Sequence, residues 1–303
     1  MSLNTKDQRG DFIKELERTY ETKVQPIDHF IIRLDGHKFS KFTKQLKTKE
    51  EPFNKYFINA MVRVMNDLIE EFKAKCGYTH SDEITLIFSA AMKPDDEIQK
   101  SHYNSGRIQK LVSQTAAYCS VRFQYHLQNE YEQEMKDNRY KPEICKIRTL
   151  IRNTNYYFDA RLFVIPEENI IDHMLFRSVD DCNRNAVSTY ALGLYSHKKL
   201  HKKSTNDQIQ MLKSCGINWV DIPLYIRHGI YAKKVLYEKI VSDSSPGSVN
   251  STVLRSQISN KCFKLPFRSS MTEDQIKQIN NLFIEKYWQE LDFIDFVEFN
   301  LEV

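Results

Sequence analysis

Between residues 30 and 166 the chain carries two kinds of apolar periodicity, and their order restricts the fold more than composition does. Phe30, Ile31, Ile32 and Leu34 form a run that predicts a mostly buried strand ending at Asp35. Ile58, Met61, Val62, Met65, Leu68, Ile69 and Phe72 then recur at spacings of three and four, which predicts a helix with one apolar face. In "CGYTHSDEITLIF" two short strand-like runs flank Ser81-Asp82-Glu83, as in a hairpin or tight turn. A second helix is expected from about Gly106 to Asn129, because Ile108, Leu111, Val112, Ala116, Cys119 and Phe123 repeat on a helical period. Finally "YYFDARLFVIP" alternates, is rich in aromatic residues and stops at Pro166, which predicts a strand. Strand, helix, two strands, helix, strand is the βαββαβ plan of a ferredoxin-like α+β fold.

Outside this span a short amphipathic helix is expected near residues 11 to 21. Beyond residue 170 the pattern is mainly helical. "HKKLHKKSTNDQIQMLKSCGINWVDIP" reads as a basic loop leading to a short helix and a turn, and "SDSSPGSVNSTVLRSQISN" as a surface loop. A last helix is expected to open at Thr272, with Gln275 completing a capping box. Two regions follow: residues 1–166, and a helical extension over 167–303 packed with them as one unit.

With 303 residues the chain can bury a substantial core. Its formal charge of +4 is too small for bulk attraction to nucleic acid, so any such affinity must come from local patches. Six cysteines stand singly, without a C-x-x-C pair, so neither a zinc ribbon nor a disulfide scaffold is indicated, and a reducing compartment fits. Asp7, Asp11, Glu15 and Glu17 lie where a transit peptide avoids acids, and no run is long enough to span a membrane. The expected location is cytoplasmic, with the mitochondrion as the alternative.

In a ferredoxin-like sheet the first and third strands are neighbours, which brings Asp35 beside Asp82. Two carboxylates so placed repel unless compensated, and a pair of divalent cations compensates them usefully. Two aspartates, a backbone carbonyl from Gly36 and substrate phosphates make an adequate all-oxygen magnesium site. The alternative reading is that Asp-Gly and Ser-Asp-Glu are turn residues only. Cations surround the first acid: Lys38, Lys41, Lys44 and Lys47 follow it, and Lys55 opens the first helix. Arg107 and Lys110 start the second helix, where a cation opposes the helix dipole unless an anion docks there; Arg161 lies on the last strand. Solvated surface charge is the competing reading for most of the lysines. His197 and His201 have the spacing of helical zinc ligands but lack the H-E-x-x-H acid, so "SHKKLHKKS" reads as a basic face for an RNA backbone or a solvated loop.

"RLDGHKFSKF", "FNKYFINAMVRVMN" and "YTHSDEITLIF" resemble, in order and spacing, the tRNA-His guanylyltransferase superfamily, whose members extend RNA 3′ to 5′. "GRIQKLVSQTAA", "FDARLFVIP", "DDCNRNAVS" and "MLKSCGINWVDIP" extend the resemblance over roughly residues 27 to 230. It implies a polymerase palm on which Asp35, the Gly36 carbonyl and Asp82 hold two magnesium ions, supported by Ser81 and Glu83. It also implies that Gly36, His37, Lys38, Phe39, Lys55, Arg107, Lys110 and Arg161 contact triphosphate or the RNA 5′ end, that Asn185 lies near the nucleotide, and that the protein is a homotetramer. At Asn183–Thr189 the chain departs from the guanylyltransferases proper and resembles the guanylyltransferase-like branch that repairs tRNA 5′ ends. Phe176 and Arg177 stand one residue out of register with Asp181 relative to the family's Trp-Arg-Gln segment.

The expected function is template-dependent addition of nucleotides to the 5′ end of tRNA, with ATP activating a 5′-monophosphate and GTP or another NTP as the added unit. The alternatives are tRNA-His guanylyltransferase activity, nucleotide cyclisation on the same palm, and a non-catalytic tRNA-binding module.

Overall fold

The computed structural model describes residues 6–46, 52–137, 141–241 and 251–301. Helix α1 (Lys6–Thr19) precedes strand β1 (Phe30–Gly36), the short helix α2 (Phe39–Leu46) and helix α3 (Lys55–Phe72). Strands β2 (Cys76–His80) and β3 (Glu83–Phe88) form the hairpin, joined by the two residues Ser81 and Asp82. Helices α4 (Ile108–Asp137) and α5 (Pro142–Asn153) lead to β4 (Phe158–Val164). The βαββαβ expectation holds, and the sheet order β4-β1-β3-β2 puts the first and third strands side by side.

Local chemistry fixes the helix that matters most for the site. Asn54 caps α3, its side chain accepting from Phe57 N–H at 3.0 Å, and Lys73 ends the helix in the left-handed region at φ 62°. The face carrying Met61, Met65, Leu68 and Phe72 packs with α4 against Phe30, Ile32, Leu34, Ile84 and Leu86 of the sheet. Alternation sends Ile31, Cys76, Tyr78 and Ile87 to the opposite face, which meets a second core built from later residues.

Those later residues are helix α6 (Ile170–Leu175), a π-turn at Phe176–Asp181, helices α7 (Cys182–Leu194), α8 (His197–Leu200), α9 (Thr205–Ser214) and α10 (Leu224–His228), strands β5 (Ile230–Val241) and β6 (Ser251–Cys262), helix α11 (Glu273–Ile284) and strand β7 (Val297–Glu298). The helices expected here are present, and Thr272 and Gln275 form the expected capping box. The extension also contributes three strands that continue the sheet as β2-β5-β6-β7. From Ser251 onward the supposed serine-rich surface loop is therefore strand β6, paired along its length with β5. The rest of that segment, 242–250, lies outside the described residues, as does Lys47. The basic segment begins as a single helical turn, α8, and continues from His201 as the expected loop to Ser204, where α9 is capped. Among the described residues no helix is long and apolar enough to cross a membrane.

Candidate active site

The end of β1 and the β2–β3 turn are joined by a backbone hydrogen bond, Gly36 N–H to the Asp82 carbonyl at 3.1 Å. Asp35 stands opposite Glu83 on β3 and Asp159 on β4, and residues opposed in antiparallel strands project from the same face. Ser81 turns the hairpin at φ 50°, and its hydroxyl donates to Asp82 Oδ1 at 3.0 Å. Burial holds the Asp82 carboxyl above the ordinary carboxylate range; the Ser81 hydrogen bond opposes this, and the charges of Asp35 and Glu83 add to it. Asp35 is raised by burial and then by Glu83, in spite of Arg33. Asp35, already paired with Arg33 at 3.3 Å, and Asp82 offer oxygen ligands at the strand end, the donor type that magnesium takes. His80, Glu83 and Asp181 also bring potential ligand atoms within 4.8 Å of one another. There, however, Arg177 Nη1 lies 2.8 Å from Asp181 and 3.2 Å from Glu83, so a guanidinium already supplies the positive charge, and that group does not fit a resident cation.

The residues after Asp35 divide between the site and the core. Gly36 passes so close to Phe39 that a Cβ would stand 2.6 Å from its ring. Phe39 itself is 2% exposed and packs among Phe42, Phe57, Phe123, Tyr156 and Phe158, so it shapes the turn from beneath instead of presenting a surface to a nucleotide. His37 and Lys38 are exposed. His37 stacks on Tyr157 at 4.6 Å, and Lys38 adopts φ 58°.

Beside the acids an open cleft lies between the start of α3 and α7, lined by Asn54, Phe57, Thr79, Ser81, Asn185 and Tyr225 among others. Its walls are mainly apolar with a few polar groups, as suits a base and sugar. Lys55 starts α3 at this end of the sheet but lines an adjoining cavity with Pro223, Tyr225, Cys262 and Glu298, not the cleft itself. Arg161 lies one strand over from Arg33 and pairs with Asp159 at 3.6 Å. Arg107 and Lys110 are not brought to this end. They start α4 near Phe30, about 20 Å away across the length of β1. Arg107 contacts the Asn104 carbonyl at 3.2 Å and Glu21 at 3.4 Å, so its position at a helix start is explained by an acid of the N-terminal segment, without a bound anion.

The site also contains Arg33, which motif reading passed over, and Arg177 and Asp181, which it placed in a family segment without a role. Arg33 Nη2 lies 2.5 Å from Glu83 Oε1 and 3.3 Å from Asp35 Oδ2. Arg177 joins Glu83 to Asp181, and Asp181 in turn accepts from Arg184 and from Asn185 Nδ2 at 3.4 Å. Period-two alternation was the available signal for Arg33, since it stands two residues before Asp35 on the same face.

A ferredoxin-like sheet ending in two aspartates beside such a cleft has the layout expected of a polymerase palm. The family model described as tRNAHis guanylyltransferase, Thg1, matches residues 10–166, more than half of the chain, and the chain belongs to that family. It is 36% identical over 307 residues to an uncharacterized protein of Acanthamoeba polyphaga mimivirus, covering 97% of this chain and 94% of that one. It is also 23% identical over 236 residues to a probable tRNA(His) guanylyltransferase of Drosophila melanogaster, covering 73% of this chain and 71% of the relative. Among solved structures, a bacterial Thg1-like protein in complex with ATP aligns at TM-score 0.61 and 23% identity, covering 75% of this chain and 87% of the other. A bacterial Thg1-like protein in complex with GTP aligns at TM-score 0.58 and 19% identity over 91% and 98% of the two chains. The tRNA(His) guanylyltransferase of Saccharomyces cerevisiae aligns at TM-score 0.52 and 22% identity over 71% and 90%. These structural likenesses establish the shared fold.

Proposed function

We propose that this protein is a template-dependent 3′-to-5′ nucleotidyltransferase that restores incomplete tRNA 5′ ends. The observation that carries the reading is the meeting of Asp35, Gly36 and Asp82 at one strand end beside the cleft. The ATP and GTP complexes of the structural relatives support nucleoside triphosphates as substrates. Two magnesium ions held by Asp35, the Gly36 carbonyl and Asp82 would acidify the attacking hydroxyl and stabilise charge on the phosphates. The cleft seats the incoming nucleotide between α3 and α7, and Lys38, Lys41 and Lys55 counter the charge of its phosphates and of the RNA end. The 3′-oxygen of that nucleotide bonds to the activated 5′ phosphorus as the bond to the leaving pyrophosphate or nucleotide breaks. Repair is favoured over guanosine addition to tRNA-His by the segment Asn183–Thr189. A cytoplasmic location and a homotetramer complete the reading.

The test uses purified protein with 5′-truncated tRNAs that differ in the base opposite the gap. Addition should follow that base, and Asp35→Ala or Asp82→Ala should abolish it while leaving RNA binding largely intact. Addition of guanosine whatever the template would move the protein to tRNA-His guanylyltransferase activity, and transfer retained in either mutant would remove the metal-site assignment.

A further inference from the structure

Between α6 and α7 the helix widens at Phe176–Asp181 into a π-turn, in which Cys182 N–H donates to the Arg177 carbonyl five residues back. Such turns are rare and occur often at functional sites. This one is held from outside by buried side chains. The Tyr78 hydroxyl of β2 donates to the Arg177 carbonyl at 3.3 Å, and His228 Nδ1 of α10 lies 3.1 Å from the Ser178 carbonyl. A carbonyl only accepts, so His228 must carry its proton on Nδ1.

The turn frames Arg177 and Asp181, whose side chains are 12% and 8% exposed. Arg177 donates to Glu83 and to Asp181 from one nitrogen, Nη1. On one side Glu83 binds Arg33, which reaches Asp35; on the other, Asp181 accepts from Asn185, which lines the cleft. A continuous chain of ion pairs, closed by one amide contact, thus runs from Asp35, the proposed magnesium ligand, to the cleft wall. The single extra residue of the π-turn rotates everything after it by about 100° relative to an uninterrupted α-helix. It thereby lets α6 bury Ile170, Ile171 and Met174 in the second core while α7 packs Ala186, Val187 and Ala191 against Trp219 and Ile226.

We propose that Arg177 is a positioning residue for nucleotide transfer, fixing α7 and Asn185 relative to the Asp35 and Asp82 carboxylates. The proposal rests on the nucleotidyltransferase reading of the site. Arg177 does not touch the reacting atoms. Its effect acts on the alignment of two walls, which belong to segments 94 positions apart in sequence.

The experiment compares wild type, Arg177→Gln and Arg177→Lys, using the full chain in a steady-state transfer assay with MgATP or MgGTP and truncated tRNA, alongside amide hydrogen exchange. Arg177→Gln should raise the KM for the incoming nucleotide by about tenfold, with a smaller fall in kcat, and should speed exchange at residues 81–83 and 182–187. Arg177→Lys should recover part of the KM, with the helical circular dichroism of all variants retained. A merely structural role would lower kcat through loss of active protein, leave KM unmoved and show no rescue by lysine; that pattern overturns the inference. Wild-type protein that transfers no nucleotide would instead overturn the proposed function, so the two failures are distinct.

Discussion

Asp82 sits where charge is unwelcome: it is partly desolvated in a tight turn and faces Asp35 and Glu83. A folded-state carboxyl held above its unfolded value destabilises the metal-free protein at neutral pH, and that penalty shrinks as pH falls through the raised range. Asp82→Asn should therefore stabilise the metal-free protein by about 1 kcal/mol, while ending transfer. Thermal unfolding with and without magnesium checks this, since magnesium should raise the midpoint of the wild type and leave the variant unmoved. His228 has the opposite linkage. Burial pushes it down to about 4, so between that pH and 6.5 the unfolded chain takes up a proton that the folded protein refuses. Its stabilising contribution is complete above pH 6.5 and is lost on acidification at roughly 1.4 kcal/mol per pH unit, and His173, also lowered to about 4, acts likewise. His228→Asn, whose amide can still donate to the Ser178 carbonyl, should flatten this acid limb in urea unfolding across pH, leaving the part due to His173. At this scale the two aspartates were legible because Asp35 ends an apolar run and Asp82 lies in the bend between two strand-like runs. Arg33, Arg177 and Asp181 were not, because their meaning depends on partners such as Glu83, 50 and 94 positions from the two arginines.

Among the elements, the β1 to α2 corner depends most on one small residue. The Phe39 ring cannot withdraw from a Cβ at position 36, because five other aromatic rings surround it. Gly36→Ala should cost about 1–3 kcal/mol in denaturant unfolding, and Phe39→Leu added to it should return part of that loss. No recovery in the double variant would show that the strain lies elsewhere. The palm elements were legible because each buries one face, which imprints a clean period on the sequence. Strand β6 was not, because its outer residues are largely exposed and its serines read as a loop. The π-turn was visible only as the one-residue offset of Phe176-Arg177 from Asp181, since an inserted residue shifts a motif without altering its composition.

Across the whole molecule, the expected adjacency of β1 and β3 followed from element order alone, and it is what unites residues 35 and 82. The continuation of the sheet into β5 and β6 raises a separate matter, because the far half of that hairpin extends beyond the packed layers. Leu236, Ile240 and Leu254 are 45%, 68% and 60% exposed. Their register pairs, Leu236 with Ser256, Glu238 with Leu254 and Ile240 with Thr252, place all three on one face of the ribbon. A two-stranded ribbon is marginal by itself in water, and a contiguous apolar stripe on it favours burial against another surface. If the protein assembles as the proposed homotetramer, this stripe is the surface to be covered by another copy. Ile240→Lys with Leu254→Lys should then lower the mass measured by light scattering, while metal-dependent nucleotide binding at the distant strand ends persists. A wild type that scatters as a monomer, or a double variant of unchanged mass, would rule out this face as the interface.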